Sequence, residues 1–203
     1  MLPFLSLIQM ASATPHDYAF LSNKGVLYVQ VFKAPTLAAD LSHNHAIQAV
    51  GWSGKGSWDA DDYSKCNISI SVPVNNLQVD TPFIRNVAGL NGTISDSMRK
   101  DVKKHMLSKT QLHAEEYPMI TFQSTGCEES EKGIVLEGDF TMHGTTQTVS
   151  VPVTIKDSDG FNIKGSFTVK ATDYGIQPYS AMFGAVGNKD EMKITFDLVA
   201  AEK

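Results

Sequence analysis

Between residues 113 and 155 the chain runs through three segments in which apolar and polar side chains alternate with a period of two. That is the pattern of strands with one face in a core and the other in water. In the first, Ile120 and Phe122 share a face with Ser124. In the second, Ile134, Leu136, Gly138, Phe140 and Met142 do so, and in the third Val149, Val151, Val153 and Ile155. The opposite faces carry Thr121, Gln123, Glu137, Asp139, Thr148, Ser150 and Thr154. The polar run TGCEESEKG and the segment MHGTTQT, with its Gly-Thr-Thr, read as turns, so the three strands are expected to be antiparallel neighbours.

The same period recurs on either side. NISISVPV sets Ile68, Ile70, Val72 and Val74 against Ser69 and Ser71, and Pro73 removes a ladder donor on the outer face. Residues 26–33 alternate with both faces apolar, which leaves the inward face open. Around Trp52, Gly51, Gly54 and Gly56 predict a second strand that bends or bulges. Downstream, Phe161, Ile163, Gly165, Phe167, Val169 and Ala171 share one face, and Met192, Ile194, Phe196 and Leu198 another.

The period changes between residues 75 and 118. Met98, Val102 and Met106 are spaced four apart among Arg99, Lys100, Lys103 and Lys104 after a Ser95-Asp96 start, which predicts an amphipathic helix over a barrel mouth or side. So long a connection in a compact β domain is often a lid or entrance. The NVAGLNGT stretch before the helix, residues 86–93, reads as irregular. Counting gives about eight short antiparallel strands with one helical excursion, an all-β barrel or sandwich in a single domain over residues 14–203.

YPMITFQS, then LEGDFTMHGTTQTVSVPV, then ATDYGI resemble the dispersed pattern of the YceI family of lipocalin-like, polyisoprenoid-binding proteins, over about residues 26–199. The resemblance implies an antiparallel lipocalin-like barrel with an extended cavity for a polyprenyl chain. Two places depart from the commoner pattern. The second strand reads SHNHAI, and the helix reads RKDVKKHM where many members have an Arg-Asp followed by a His-Leu.

Composition changes little in this picture. With 42% hydrophobic and 19% charged residues and a net charge of -5, nothing points to nucleic acid. The opening MLPFLSLIQM followed by Ala11-Ser12-Ala13 fits a signal peptide over residues 1–13, although no basic residue precedes the apolar run. The alternative is a disordered or strand-like N terminus. If the leader is real, the protein is periplasmic or secreted, and the two cysteines can then form one disulfide. Pairing the Cys66 and Cys127 strands antiparallel would bring the sulfurs together, the alternative being two free thiols.

An eight-stranded barrel either fills with side chains or holds one small ligand. Phe122, Phe140, Phe167 and Phe196, with Met142 and Met192, form an aromatic inward set that serves as a plain core if the rings meet. Gly138 and Gly165 at inward positions leave room, and methionine suits a wall against a flexible tail. The candidate ligand-binding residues are therefore Phe122, Gly138, Phe140, Met142, Gly165, Phe167 and Phe196. Phe183 and Tyr174 join them from the apolar, Gly-rich loop before the last strand. At the entrance, His45, Arg99, Lys103, His105 and Tyr174 are head-group candidates. The expected partner is a polyprenyl, quinone or fatty-acyl amphiphile, with transient membrane contact and no cofactor. A second class of function is a metal enzyme in which His43 and His45, joined by His113 or His143, hold zinc. A third is an exported stress-related domain with no tight ligand. No nucleophile elbow or phosphate loop is present.

Overall fold

The computed structural model describes residues 16–59, 62–131, 133–156 and 161–203. The expected leader, residues 1–13, lies outside the described residues. Among the described residues eleven strands form, β1 (His16–Lys33), β2 (His45–Gln48), β3 (Ser53–Trp58), β4 (Asn67–Pro73), β5 (Gln78–Val79), β6 (Met119–Ser130), β7 (Gly133–Met142), β8 (Thr145–Lys156), β9 (Phe161–Lys170), β10 (Ser180–Ala181) and β11 (Val186–Glu202). All their pairings are antiparallel. Eight of them, in the order β1-β3-β4-β6-β7-β8-β9-β11, close a barrel because β11 returns to pair with β1. Closure removes both exposed sheet edges.

The first strand is longer than its alternation indicates, because its N-terminal part pairs from His16 with Trp58 to Ala19 with Lys55. The bent second strand is present, broken into β2 and β3 on either side of Gly51, which has a φ of 62°. Pro73 ends β4, where it removes no interior ladder bond. The hairpin between β7 and β8 turns on His143 and Gly144 rather than on Gly-Thr-Thr. Both turn residues have positive φ, 51° and 73°, the geometry that matches strand twist in a two-residue loop. TGCEESEKG is less of a loop than its polarity implies. β6 continues to Ser130 and β7 resumes at Gly133, since backbone ladder bonds hold strand ends whose side chains face water.

One irregularity is consequential. In β6 the register slips between Ser124 and Gly126, so one extra residue is inserted. Strict alternation from Phe122 and Ser124 would turn Cys127 outward. The bulge turns it inward, where it is buried with Cys66 and bonded to it, with the Cα atoms 5.9 Å apart. Ser124 on the same strand accepts a 2.7 Å hydrogen bond from the Ile68 amide of β4.

Two helices lie in the long connection. α2 (Asp96–Leu107) is the expected amphipathic helix, capped by Ser95, whose hydroxyl accepts from the Met98 amide. α1 (Pro82–Val87) was not expected and overlaps only the first two residues of the NVAGLNGT stretch, the rest of which has no helix or strand. Its signals were Thr81, which caps Ile84, and proline at the first helical position.

The barrel has two unlike ends. At the end formed by the start of β1 and the finish of β3, Tyr18 stacks on Phe161 with ring centroids 4.5 Å apart, and Phe20, Trp52 and Trp58 complete the packing. The Cys66–Cys127 bond joins β6 to the entry of β4 there. At the opposite end lie the loop of residues 34–44, helix α2 and the loop of residues 171–185.

Candidate functional site

Above the aromatic end the barrel is hollow. A cavity of about 630 Å³ runs from a floor of Ile68, Leu136, Val151 and Ile163 to the end bearing α2. That volume falls in the usual range for a small-molecule site. Its wall is almost wholly apolar. Phe122, Phe140, Phe167, Phe196, Met142 and Met192 line it from four strands, β6, β7, β9 and β11. α2 supplies Met98, Val102 and Met106, the three residues of its four-residue spacing, so the helix forms the side of the entrance. The open question of β1 is answered as well, because Leu27, Val29 and Val31 line the cavity.

The inward glycines do not act as expected. A Cβ on Gly138 would lie 2.4 Å from the Phe122 ring, and one on Gly165 would lie 2.6 Å from the Phe196 ring. The space is already taken by an aromatic ring from the neighbouring strand, a cross-strand pairing that also stabilises the sheet. Neither glycine lines the cavity. Their effect is indirect, since a ring folded over a glycine lies along the wall instead of across the lumen.

Two other expected residues are elsewhere. Phe183 is fully exposed on the loop before β11 and does not line the cavity. Tyr174 is buried behind the wall, edge-on to Phe140 at 5.6 Å, because its place at the end of a 3-10 turn directs it into the core. Its hydroxyl has no hydrogen-bond partner, and burial, followed by the nearby Asp173 charge, pushes its pKa up to about 12.

The entrance carries a few polar groups among the apolar ones: His43, His45, Asp101, His105, Gln111 and Lys189. Arg99 and Lys103 are not among the lining residues. Arg99 pairs with Asp96 on its own helix, and the Lys103 ammonium donates to the Asn75 carbonyl at 3.0 Å.

His45 is the entrance residue with the most developed support. Its Nδ1 lies 2.5 Å from Oδ2 of Asp80, which is fully buried. Oδ1 of Asp80 accepts from the Ala46 amide and from Arg85 Nη1, both at 2.9 Å. Arg85 is also buried, and its remaining donors go to the carbonyls of Asn44, Asn91 and Gly92. Burial alone would raise the Asp80 pKa, but the hydrogen bonds from His45, the Ala46 amide and Arg85 outweigh it and hold the carboxyl below its ordinary value. Asp80 thus stays ionised and fixes the imidazole ring, so that Nε2 is the nitrogen left for other contacts. Asp80 and Arg85 were not singled out in the sequence. The Val-Asp-Thr-Pro cap preceding α1 was the available signal.

A three-histidine metal site does not assemble. Among the described residues no group of three or more His, Cys, Asp or Glu side chains is placed to hold an ion. His113 lies 3.1 Å from Glu116, and His143 Nδ1 lies 3.0 Å from the Tyr174 carbonyl.

Comparison with known proteins fits this geometry. No curated protein sequence matches the chain. Among solved structures, that of Burkholderia cenocepacia BcnA is 18% identical with a TM-score of 0.66, over 90% of this chain and 99% of that one. A polyisoprenoid binding domain from Saccharophagus degradans implicated in plant cell wall breakdown is 11% identical with a TM-score of 0.57, over 92% of this chain and 98% of that one. The Campylobacter jejuni YCEI protein is 14% identical with a TM-score of 0.52, over 77% and 84%. At these identities the likeness is one of fold. The YceI-like domain profile matches residues 31–200, most of the chain from the end of β1 into β11, and by that match the chain belongs to the YceI-like family.

Proposed function

We propose that the protein binds and carries a polyisoprenoid, or another long-chain amphiphile, with its tail in the barrel and its head group at the α2 entrance. The observation that carries this reading is the continuous apolar cavity, whose wall is apolar from the floor to α2. Such a wall offers no grip on a polar solute. It removes a hydrocarbon tail from water at about 0.8 kcal/mol per methylene, before the cost of ordering the chain. Methionines on β7, β11 and α2 adapt their rotamers to a flexible tail, which suits uptake of a class of chains rather than one rigid molecule.

His45 is the head-group contact in this reading. Its buried Asp80 partner orients the ring, and Lys189 stands at the same entrance. The name of the Saccharophagus domain supports a polyprenyl ligand. Work outside the cytoplasm is part of the proposal, supported by the buried Cys66–Cys127 bond, since structural disulfides persist in oxidising compartments.

Native mass spectrometry of the purified protein, followed by organic extraction and lipid analysis, tests the reading. The expected result is a co-purifying species of polyprenyl or long-chain mass that leaves on extraction. A protein that neither co-purifies with a chain nor takes up added polyprenyl phosphate contradicts it.

A further inference from the structure

We propose that the rim of the entrance is a bilayer-docking surface, in which Leu37, Met182 and Phe183 enter the lipid and bring the cavity mouth against the membrane. The proposal rests on the carrier reading above. Its starting point is apolar side chains presented to water beside the entrance. Leu37 is 102% exposed, Leu41 66%, Met182 62% and Phe183 113%. Scattered apolar residues on a surface need no explanation, but a contiguous set marks an interaction site. These belong together because their two loops are tied by backbone hydrogen bonds, Ala38 to Ala185 at 3.0 Å and Ala34 to Gly187 at 2.8 Å.

Three observations select a membrane as the partner. First, the patch is continuous with the cavity. Leu41, Met98 and Tyr179 are exposed on the outside and also line the lumen, so a lipid tail leaving the bilayer would meet apolar surface without crossing water. Second, the presentation is built into the backbone. Met182 and Phe183 have φ of 51° and 53°, a region that glycine and asparagine adopt readily and large side chains rarely do. Two consecutive residues in that conformation turn a Met and a Phe outward. Third, the charge is appropriate. The chain is acidic overall, at -5, yet α2 beside the entrance has Arg99, Lys100, Lys103 and Lys104 against Asp96 and Asp101. Apolar anchors flanked by basic residues fit the surface of a bilayer containing anionic lipid.

The test compares the wild-type chain with a Leu37→Ser, Met182→Asn, Phe183→Asn variant in co-sedimentation with phosphatidylcholine vesicles containing phosphatidylglycerol. Asparagine suits the left-handed backbone, so the variant is expected to melt no lower than wild type, whereas apolar residues serving the core would lower it. Vesicle binding is expected to fall by about tenfold or more, while uptake of farnesol from aqueous solution, which needs no bilayer, stays unchanged. Equal vesicle binding by both proteins, or none by wild type, overturns the docking proposal. A wild-type dimer that the variant turns into a monomer overturns it in favour of self-association. Failure of wild type to take up farnesol counts instead against the carrier reading, so the two are separable.

Discussion

At one end of the barrel Tyr18, Phe20, Trp58 and Phe161 meet ring to ring, and a disulfide joins the strands beside them. At the other, Phe122, Phe140, Phe167 and Phe196 are equally inward, yet they surround a cavity. Both ends are aromatic and follow the same period-two pattern. They differ in where the rings lie. At the closed end Tyr18, Phe20 and Trp58 all converge on Phe161. At the open end only Phe140 and Phe167 meet, edge to face at 5.5 Å, while Phe122 and Phe196 fold over Gly138 and Gly165 along the wall and leave the centre empty. Aromatic content therefore does not decide between a packed core and a pocket. The direction the rings take does.

The same truncation made at both ends separates a packed core from a pocket. Phe161→Ala is expected to cost about 3–5 kcal/mol, the usual range for deleting a fully buried aromatic, whereas Phe196→Ala, already facing a void on one side, should cost about 1–2 kcal/mol. Denaturant midpoints measure both, and equal losses would mean the two ends are packed alike. Replacing both cysteines by alanine should cost about 4 kcal/mol, from the loop that a bond between residues 61 apart closes. Because that bond is remote from α2, ligand uptake by the folded fraction should be unchanged.

Asp80→Asn probes the open end, where Asp80 supports His45 at the entrance. Leaving Arg85 buried without its carboxylate partner is expected to cost about 3 kcal/mol at neutral pH. The folded pKa of Asp80 is depressed, so its contribution is complete above its ordinary value of 3.8 and is lost as pH falls through the lower folded value. Wild type and variant should therefore converge in acid, as urea titrations across that range would read out. A gap independent of pH would remove the ionised Asp80 from the account. The smallest effect is Tyr174→Phe, expected to be neutral or to stabilise by up to about 1 kcal/mol, since the hydroxyl it deletes is buried and unpartnered. A clear loss by calorimetry would indicate a partner for that hydroxyl.

The closed architecture was legible because period-two alternation recurs in almost every barrel strand, and the Met98, Val102, Met106 spacing marked α2 and its apolar face. What was hidden depended on contacts between distant segments. Alternation could not distinguish a glycine that opens space from one that receives a neighbour's ring, as Gly138 does. Nor could it give the bulge that turns Cys127 inward, or the left-handed turn that sends Phe183 into solvent. His45 was recognisable as a polar residue at an entrance. Its support by Asp80 and Arg85, 35 and 40 positions away, was not, because a buried ion pair has no local period.

The account stands most directly on the claim that the cavity accommodates a hydrocarbon tail, and a chain-length series measures that. Isothermal titration with geraniol, farnesol and geranylgeraniol should give a Kd that falls by about tenfold or more with each added five-carbon unit until the lumen is full, the burial term exceeding the ordering cost at every step. Affinities independent of length, or no binding by any of the three, would contradict it.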